Sequence, residues 1–340
     1  MSAAGPTVVA LDAMGGDNAP NATVLGAAEA AGPDLRVLLV GDERVLAPMI
    51  EALPEQSRAH LELVHAPDKI DSSEDGARAV RAKPDSSVVM SCRLVREGRA
   101  AAAVSLGHTG AMMAAATLHM RRIPGVLRPG IAVVLPSAAG FIVLIDAGAN
   151  ADARPEHLAQ FGVMGRVFAQ DVLEIEHPTV GLLSIGEEAE RGSELVIATH
   201  NLLKGTPGFI GNVEGRDIPR GTASVVVTDG FTGNVALKLY ESAAQFLLQE
   251  VRAAVTETLP GRIGGLLVKR SIRRMRKRLD PDAVGGAFLL GVQGLAVIGH
   301  GSSNPTAVAN AIRVAAVGVR HDMVDQLAAE LGTPATAPSA

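Results

Sequence analysis

Aromatic residues are almost missing from this 340-residue chain: they make up 2%, with no Trp and one Tyr, Tyr240. That scarcity removes the stacking platforms used to hold single-stranded nucleic acid. A formal net charge of −5 gives no overall basic field to replace them, so nucleic acid is excluded as an expected partner. A single cysteine, Cys92, rules out an intramolecular disulfide and fits a reducing, cytoplasmic setting. It falls within an apolar helical pattern and reads as core rather than nucleophile. No apolar run reaches the roughly 18 residues of a membrane span. Residues 1–7 have neither a basic nor a long apolar region, so no signal peptide is expected. Catalytic signatures are missing too. There is no G-x-S-x-G elbow, no H-E-x-x-H and no paired-cysteine metal motif.

What is present is aliphatic. Apolar residues make up 47%, enough for a large core built from Ala, Val, Leu, Ile and Met. Short β-rich runs alternate with Ala-rich helical stretches. Strands are expected at 7–11, 36–40, 61–64, 101–104, 131–135, 141–145, 179–184, 208–212 and 224–227. Helices are expected at 76–82, 86–97, 110–120, 155–170, 193–204, 233–256 and 304–318. Several strands are apolar throughout, as happens when helices cover both faces of a parallel sheet. The pattern predicts one α/β domain over residues 1–330, with a helical protrusion at about 240–282 and a disordered tail at 331–340.

Polar, glycine-bearing loops follow these strands. The first is Asp12-Ala13-Met14-Gly15-Gly16-Asp17, where an apolar strand stops at a carboxylate and two glycines. It matches neither G-x-G-x-x-G nor G-x-x-x-x-G-K-[ST]. The others are Gly107-His108-Thr109-Gly110, Asp146-Ala147-Gly148-Ala149-Asn150, Glu187-Glu188 with Arg191, Gly211-Asn212-Val213-Glu214-Gly215, Asp229-Gly230-Phe231-Thr232-Gly233-Asn234 with Lys238 beyond, and Gly299-His300-Gly301-Ser302-Ser303-Asn304. Ligands of open parallel sheets bind beyond the carboxyl ends of the strands, so the set predicts one shared cleft. Backbone amides with Lys238 or Arg191 suit an anion such as phosphate. Asn and His side chains suit a developing oxyanion. Phosphate bound beside an activated acyl carbonyl can attack it directly, with positioning supplying most of the rate.

One segment breaks the acidic balance. Residues 262–279 hold eight Lys or Arg and no acid, with Val268, Ile272, Met275 and Leu279 on one helical face. A basic amphipathic helix suits an acidic partner or an anionic membrane surface. The alternative is a solvated helix packed on its own domain.

In order, the loop motifs closely resemble those of the PlsX family, bacterial acyl-carrier-protein:phosphate acyltransferases of phospholipid synthesis, over about residues 7–320. The resemblance implies a three-layer α/β/α sandwich with a mostly parallel sheet, like isocitrate dehydrogenases and phosphate acetyltransferases. It implies transfer of a long-chain acyl group from acyl carrier protein to inorganic phosphate, with the acyl phosphate then passed to a membrane glycerol-3-phosphate acyltransferase. It also implies a cytoplasmic homodimer, peripherally associated with the membrane, with no metal or organic cofactor. The alternative within this architecture is a phosphate acetyltransferase or a nicotinamide-dependent decarboxylating dehydrogenase. Three positions depart from the family pattern: His108 stands where Asn is usual, Arg191 where Lys is usual, and the segment 281–288 lacks the usual Tyr and Gly-Gly-Ala-Pro turn.

Chemistry and resemblance together nominate the site. His108, Asn212 and Asn234 are expected to face the thioester oxygen, and Lys238 and Arg191 to offset phosphate charge. Gly15, Gly16 and the loop His300, Gly301, Ser302 and Ser303 are expected to hold phosphate or the pantetheine arm. Asp12, Asp146 and Asp229 are expected to orient these groups, with Asp17, Thr109, Asn150, Glu188 and Thr232 as further substrate contacts. Leu266, Leu267, Val268, Arg270, Arg273, Arg274 and Lys277 are expected to meet the membrane or the carrier protein.

Overall fold

Runs such as Val8–Leu11, Val37–Val40 and Val225–Val227 have apolar residues at consecutive positions, so both faces of each strand must be covered. The computed structural model describes residues 5–278 and 285–332, with side chains except at 259 and 272–278. The first half of the chain forms β1 (Thr7–Asp12), α1 (Asn21–Ala30), β2 (Leu35–Gly41), α2 (Glu43–Glu51), α3 (Glu55–Arg58), β3 (Leu61–His65), α4 (Gly76–Ala82), α5 (Ser87–Arg96), β4 (Ala102–Ser105) and α6 (Thr109–Ala115). A π turn, Ala116–Met120, extends α6. Then come β5 (Gly130–Ser137), β6 (Gly140–Ile145), α7 (Pro155–Val172), β7 (Val180–Leu183), α8 (Glu194–Leu203), β8 (Phe209–Val213), α9 (Asp217–Arg220) and β9 (Val225–Val227). The chain continues through α10 (Gly230–Glu257), α11 (Leu259–Arg278), β10 (Ala287–Leu290), β11 (Leu295–Ile298), α12 (Pro305–Arg320) and α13 (Met323–Leu331).

All the strands join one 11-stranded sheet in the order β3-β2-β1-β4-β11-β10-β5-β6-β9-β7-β8. One apolar cluster covers each face. Val24, Phe161, Phe168 and Ile312 lie on one side. Cys92, Met112, Ile142 and Leu237 lie on the other. This is the expected three-layer α/β/α architecture.

The middle of the sheet corrects the single-cleft expectation. Pairings β11–β10, β10–β5 and β5–β6 are antiparallel, and every other pairing is parallel. The tight β5–β6 hairpin pairs Ser137 with Gly140, whose φ of 123° only glycine adopts freely. It reverses the chain, so β6, β9, β7 and β8 run opposite to β1, β4 and β11. Loops after β1, β4 and β11 therefore emerge at one edge of the sheet, and loops after β6, β7, β8 and β9 at the other.

Helix α10 spans the two. It starts beside the loop after β6, where Gly230 N donates to Asn150 O at 2.8 Å. It then crosses the sheet until the Tyr240 hydroxyl donates to Pro136 O near the end of β5. Beyond Leu237 no residue of α10 is buried. Its remaining turns pair with α11 as a helical hairpin, where Gly265 lies against Val255. Of the tail expected at 331–340, Leu331 instead ends α13 with Gly332 as its C-cap. Residues 333–340 lie outside the described residues, as do 281–284, half of the divergent segment 281–288, and the side chains of Arg273, Arg274 and Lys277. No helix among the described residues is long and apolar enough to cross a membrane.

Candidate active site

At the β1/β4/β11 edge the opening glycine loop is closed by its own neighbours. Asp12 is 3% exposed, and Ser105 Oγ donates to its Oδ2 at 2.7 Å. Burial pushes this carboxyl up from its ordinary value. Hydrogen bonds from the Ser87 and Ser105 hydroxyls and from the backbone at Met14 and Gly15 oppose the shift. A Cβ on Gly15 would collide with that carboxylate, and one on Gly16 would sit 3.1 Å from Leu106 O. The loop is thus glycine because Asp12 and the loop after β4 fill its surroundings. Asp17 N donates to Gly301 O at 2.8 Å. Asn18 Nδ2 reaches Ser302 O at 3.1 Å and Ser303 O at 3.2 Å. Gly15, Gly16, Gly301 and Ser303 come together as expected, but no space for a water-sized molecule remains between them. Here the amide of Asp17 serves the neighbouring loop rather than an anion.

His108 is brought to the start of α6 as its N-cap. Its Nδ1 accepts from Gly110 N at 3.0 Å and Ala111 N at 3.4 Å. Accepting there leaves the ring proton on Nε2, which donates to Glu74 O at 2.8 Å. With both nitrogens engaged, the imidazole organises α6 and has no hydrogen left for an oxyanion. Thr109 follows as the exposed first residue of the helix.

The opposite edge is organised by Asp146, which has no exposed surface. Its Oδ1 accepts from the amides of Ile131 at 3.0 Å, Gly148 at 3.1 Å and Ala149 at 2.8 Å. Its Oδ2 accepts from both N and Nδ2 of Asn150 at 2.8 Å. Asp229 caps α10 by accepting from Thr232 N at 2.9 Å. The exposed Asn234 side chain stands over Gly148, one turn into that helix. Asn212 is spoken for: Oδ1 meets His200 Nδ1 at 2.9 Å, and Nδ2 donates to Glu188 O at 2.7 Å. It ties β8 to the loop after β7 and is not turned to a ligand. Arg191 sits 3.7 Å from the Glu188 carboxylate, both exposed.

Asn234, Lys238 and Glu241 follow at i, i+4 and i+7 on one stripe of α10. Lys238 Nζ donates to Glu241 Oε2 at 3.0 Å, and His300 Nε2 lies 3.8 Å from Glu241 Oε1. One helix face thus joins Asn234, at the loop after β6, to His300, at the loop after β11.

Beside the Asp146 loop lies a cavity of about 440 Å³, lined by Met113, Thr117, Arg122, Arg128, Asn150 and Leu289 among others. Its volume is in the roughly 300–1,000 Å³ range of small-molecule sites. The arginines and Thr117 were not among the expected site residues. Their signal was the run Arg121-Arg122-Ile123-Pro124-Gly125-Val126-Leu127-Arg128-Pro129, with three cations, no acid and no regular period. Burial first, then Arg128 and Arg154, hold His157 below its ordinary value, with Glu156 opposing.

Solved structures share the fold. A EutD phosphotransacetylase from Staphylococcus aureus superposes with a TM-score of 0.60 at 16% identity, over 92% of this chain and 94% of that one. A branched-chain phosphotransacylase from Enterococcus faecalis gives 0.56 at 16% identity, over 93% and 99%. The fold is that of the phosphotransacylases. A profile described as "Fatty acid synthesis protein" matches residues 7–326. A phosphate acyltransferase of Elusimicrobium minutum is 48% identical over 90% of this chain and 91% of its own length. One of Thermobifida fusca is 43% identical over 99% and 94%. The chain belongs to the phosphate acyltransferase (PlsX) family, a family of acyltransferases of fatty acid and phospholipid synthesis.

Proposed function

We propose that this chain transfers a long-chain acyl group from acyl carrier protein to inorganic phosphate, giving acyl phosphate and free carrier protein. The observation that carries the proposal is a cavity with an apolar wall, Met113 and Leu289, and two arginines, next to a loop fixed by Asp146. An acyl phosphate is apolar at one end and anionic at the other, and this lining offers both. A phosphate oxygen attacks the thioester carbonyl, a C–O bond forms, the C–S bond breaks and the pantetheine sulfur leaves, taking up a proton. No covalent acyl-enzyme is invoked. The one cysteine, Cys92, is fully buried, and burial drives its thiol far above the usual range. Asn234 is the donor free to face the developing oxyanion. Asp229, Asp146 and Asn150 position it, and Lys238 fixes α10 to the His300 loop through Glu241.

In this proposal the enzyme works as a cytoplasmic homodimer at the membrane and hands acyl phosphate to a glycerol-3-phosphate acyltransferase. Leu266, Leu267 and Val268 are 70%, 81% and 45% exposed on the hairpin. That leaves an apolar patch, next to the exposed Arg270, free to enter a lipid interface. Incubation with long-chain acyl carrier protein is the test. Phosphate-dependent conversion to free carrier protein, seen as a gel shift, is expected. Turnover of acetyl-coenzyme A in place of the acyl carrier protein would sink the proposal, as would reduction of a nicotinamide cofactor followed by absorbance.

A further inference from the structure

We propose that the cavity between the π turn and the start of β5 is a phosphate-group site, with Arg128 and Arg122 as its cations and Thr117 as a neutral donor. The inference rests on the acyl-to-phosphate reading above and assigns its anion to residues outside the strand-end glycine loops.

Charge selects the ligand class. The cavity lining contains two arginines and no carboxylate, so an anion gains there and a cation does not. Guanidinium groups match phosphate oxygens in planar, bidentate fashion. Arg122 is pre-set for that work: its Nη1 donates to Val126 O at 3.1 Å and to Leu127 O, anchoring one corner of the fork to the loop. Arg128 forms no ion pair or hydrogen bond among the described residues. Other cations of the candidate set are committed, Lys238 to Glu241 and Arg191 to Glu188.

The backbone here is unusual. Thr117 stands on the π turn, and Arg121 just beyond it adopts φ 66° without being glycine. Such departures collect at functional sites. On the far side the lining continues into Ala149 and Asn150, whose amides are pinned by Asp146. Asn234 stands over Gly148 in the same loop. The arginines and Asn234 thus both stand at the loop that Asp146 fixes.

Two phosphate groups take part in the proposed reaction: the free dianion, and the phosphodiester of the pantetheine arm. The cavity is assigned to the free dianion and to the head of the acyl phosphate it becomes, because apolar Met113 and Leu289 share its wall.

Full-length wild type, Arg128→Gln, Arg128→Lys and Thr117→Val decide it, with circular dichroism melts to verify folding. Phosphate alone, without any acyl donor, is titrated by phosphorus NMR line broadening against sulfate and chloride at matched ionic strength. Wild type is expected to bind phosphate, with competition from sulfate and not from chloride. Arg128→Gln should weaken binding at least tenfold, and Arg128→Lys should recover part of it. In turnover, KM for phosphate should rise at least tenfold while KM for acyl carrier protein stays within twofold. If Arg128→Gln does not fold, Thr117→Val carries the test, with a threefold or greater rise in KM for phosphate expected. Unchanged phosphate binding in the variants overturns the site. So does a rise in KM for the carrier alone, which would give the arginines to the pantetheine phosphodiester. Phosphate binding that depends on Arg128 in a protein transferring no acyl group would sustain the site and refute the activity, so the two failures are separable.

Discussion

Asn150 donates twice to one oxygen of Asp146: its backbone N and its Nδ2 each reach Oδ2 at 2.8 Å. Because Asp146 also holds the amides of Ile131, Gly148 and Ala149 through Oδ1, one buried carboxylate sets the whole loop beside the cavity. Gly233 of α10 presses on the same residue, and a Cβ there would collide with the Asp146 carbonyl oxygen.

Asp146→Asn puts an NH₂ where one oxygen accepts, turning donor against donor in a dry site. A loss of about 3 kcal/mol is expected from the orphaned groups, read by urea unfolding. Turnover should fall at least a hundredfold as Asn150 leaves its place. Gly233→Ala should also destabilise, by about 3 kcal/mol through overpacking against backbone that cannot move aside.

His108 is a cap in this structure, so its variants should behave as cap variants. Asn at an N-cap can accept from the same amides, and His108→Asn should stay within about 0.5 kcal/mol of wild type, whereas His108→Ala should lose about 1 kcal/mol. The pH–rate profile of His108→Asn is expected to match wild type. A titration step removed by that change would restore the imidazole as a proton carrier.

Asp146 and Asp229 stand out in the sequence as carboxylates at strand ends that would repel phosphate and so either orient loops or hold a proton; the amides each accepts from are seen only in the structure. The α/β class was legible from the apolar strands. Which loops meet was not. Four residues, Ser137–Gly140, turn β6, β7, β8 and β9 against the strands of the first half, and a short hairpin looks locally like any other turn. β10 and β11 were also missed. Each is four residues long, and the bend between them uses Gly291 and Gly294 at φ 93° and 142°, which breaks any period. Arg122 and Arg128 escaped notice because they lie before a strand, on a connection without regular structure, while the sequence pattern directs attention to loops after strands.

Asp12 gives a pH test with a definite sign. Burial raises its folded pKa above the ordinary value of 3.8, so between the unfolded and the folded value the native state binds more protons. Stability contributed by Asp12 is then greatest below pH 3.8 and falls as pH rises through the folded value. Asp12→Asn lacks this dependence. The stability difference, wild type minus variant, should therefore decline from about pH 4 upward until the folded carboxyl is fully ionised. Denaturant melts of both proteins across that range measure it, and a difference that grows with pH would contradict the shift.

Lys238 and Glu241 are joined by an exposed pair, with Lys238 60% and Glu241 21% accessible. Such pairs contribute little, so Lys238→Ala should change stability by less than about 0.5 kcal/mol. Its ammonium is engaged by a carboxylate, so the phosphate dependence of turnover should shift less than twofold. A large rise in KM for phosphate would return Lys238 to the anion and weaken the case for Arg128.

The hairpin of α10 and α11 carries the membrane half of the proposal. Leu266 and Leu267 present apolar surface with no protein over it, and moving each from water into an interface is worth on the order of 1.5–3 kcal/mol. Arg270 and the cationic residues that follow add attraction to anionic headgroups, which salt screens. Wild type is therefore expected to float with anionic vesicles at low salt and to be released as salt rises. Leu266→Glu with Leu267→Glu removes the apolar contribution and adds repulsion, so flotation should fall at least tenfold. Retained turnover on acyl carrier protein in solution would assign those leucines to lipid alone. Loss of turnover with an unchanged sedimentation mass would place carrier docking on the same surface. Equal flotation of variant and wild type would remove the hairpin from membrane binding altogether.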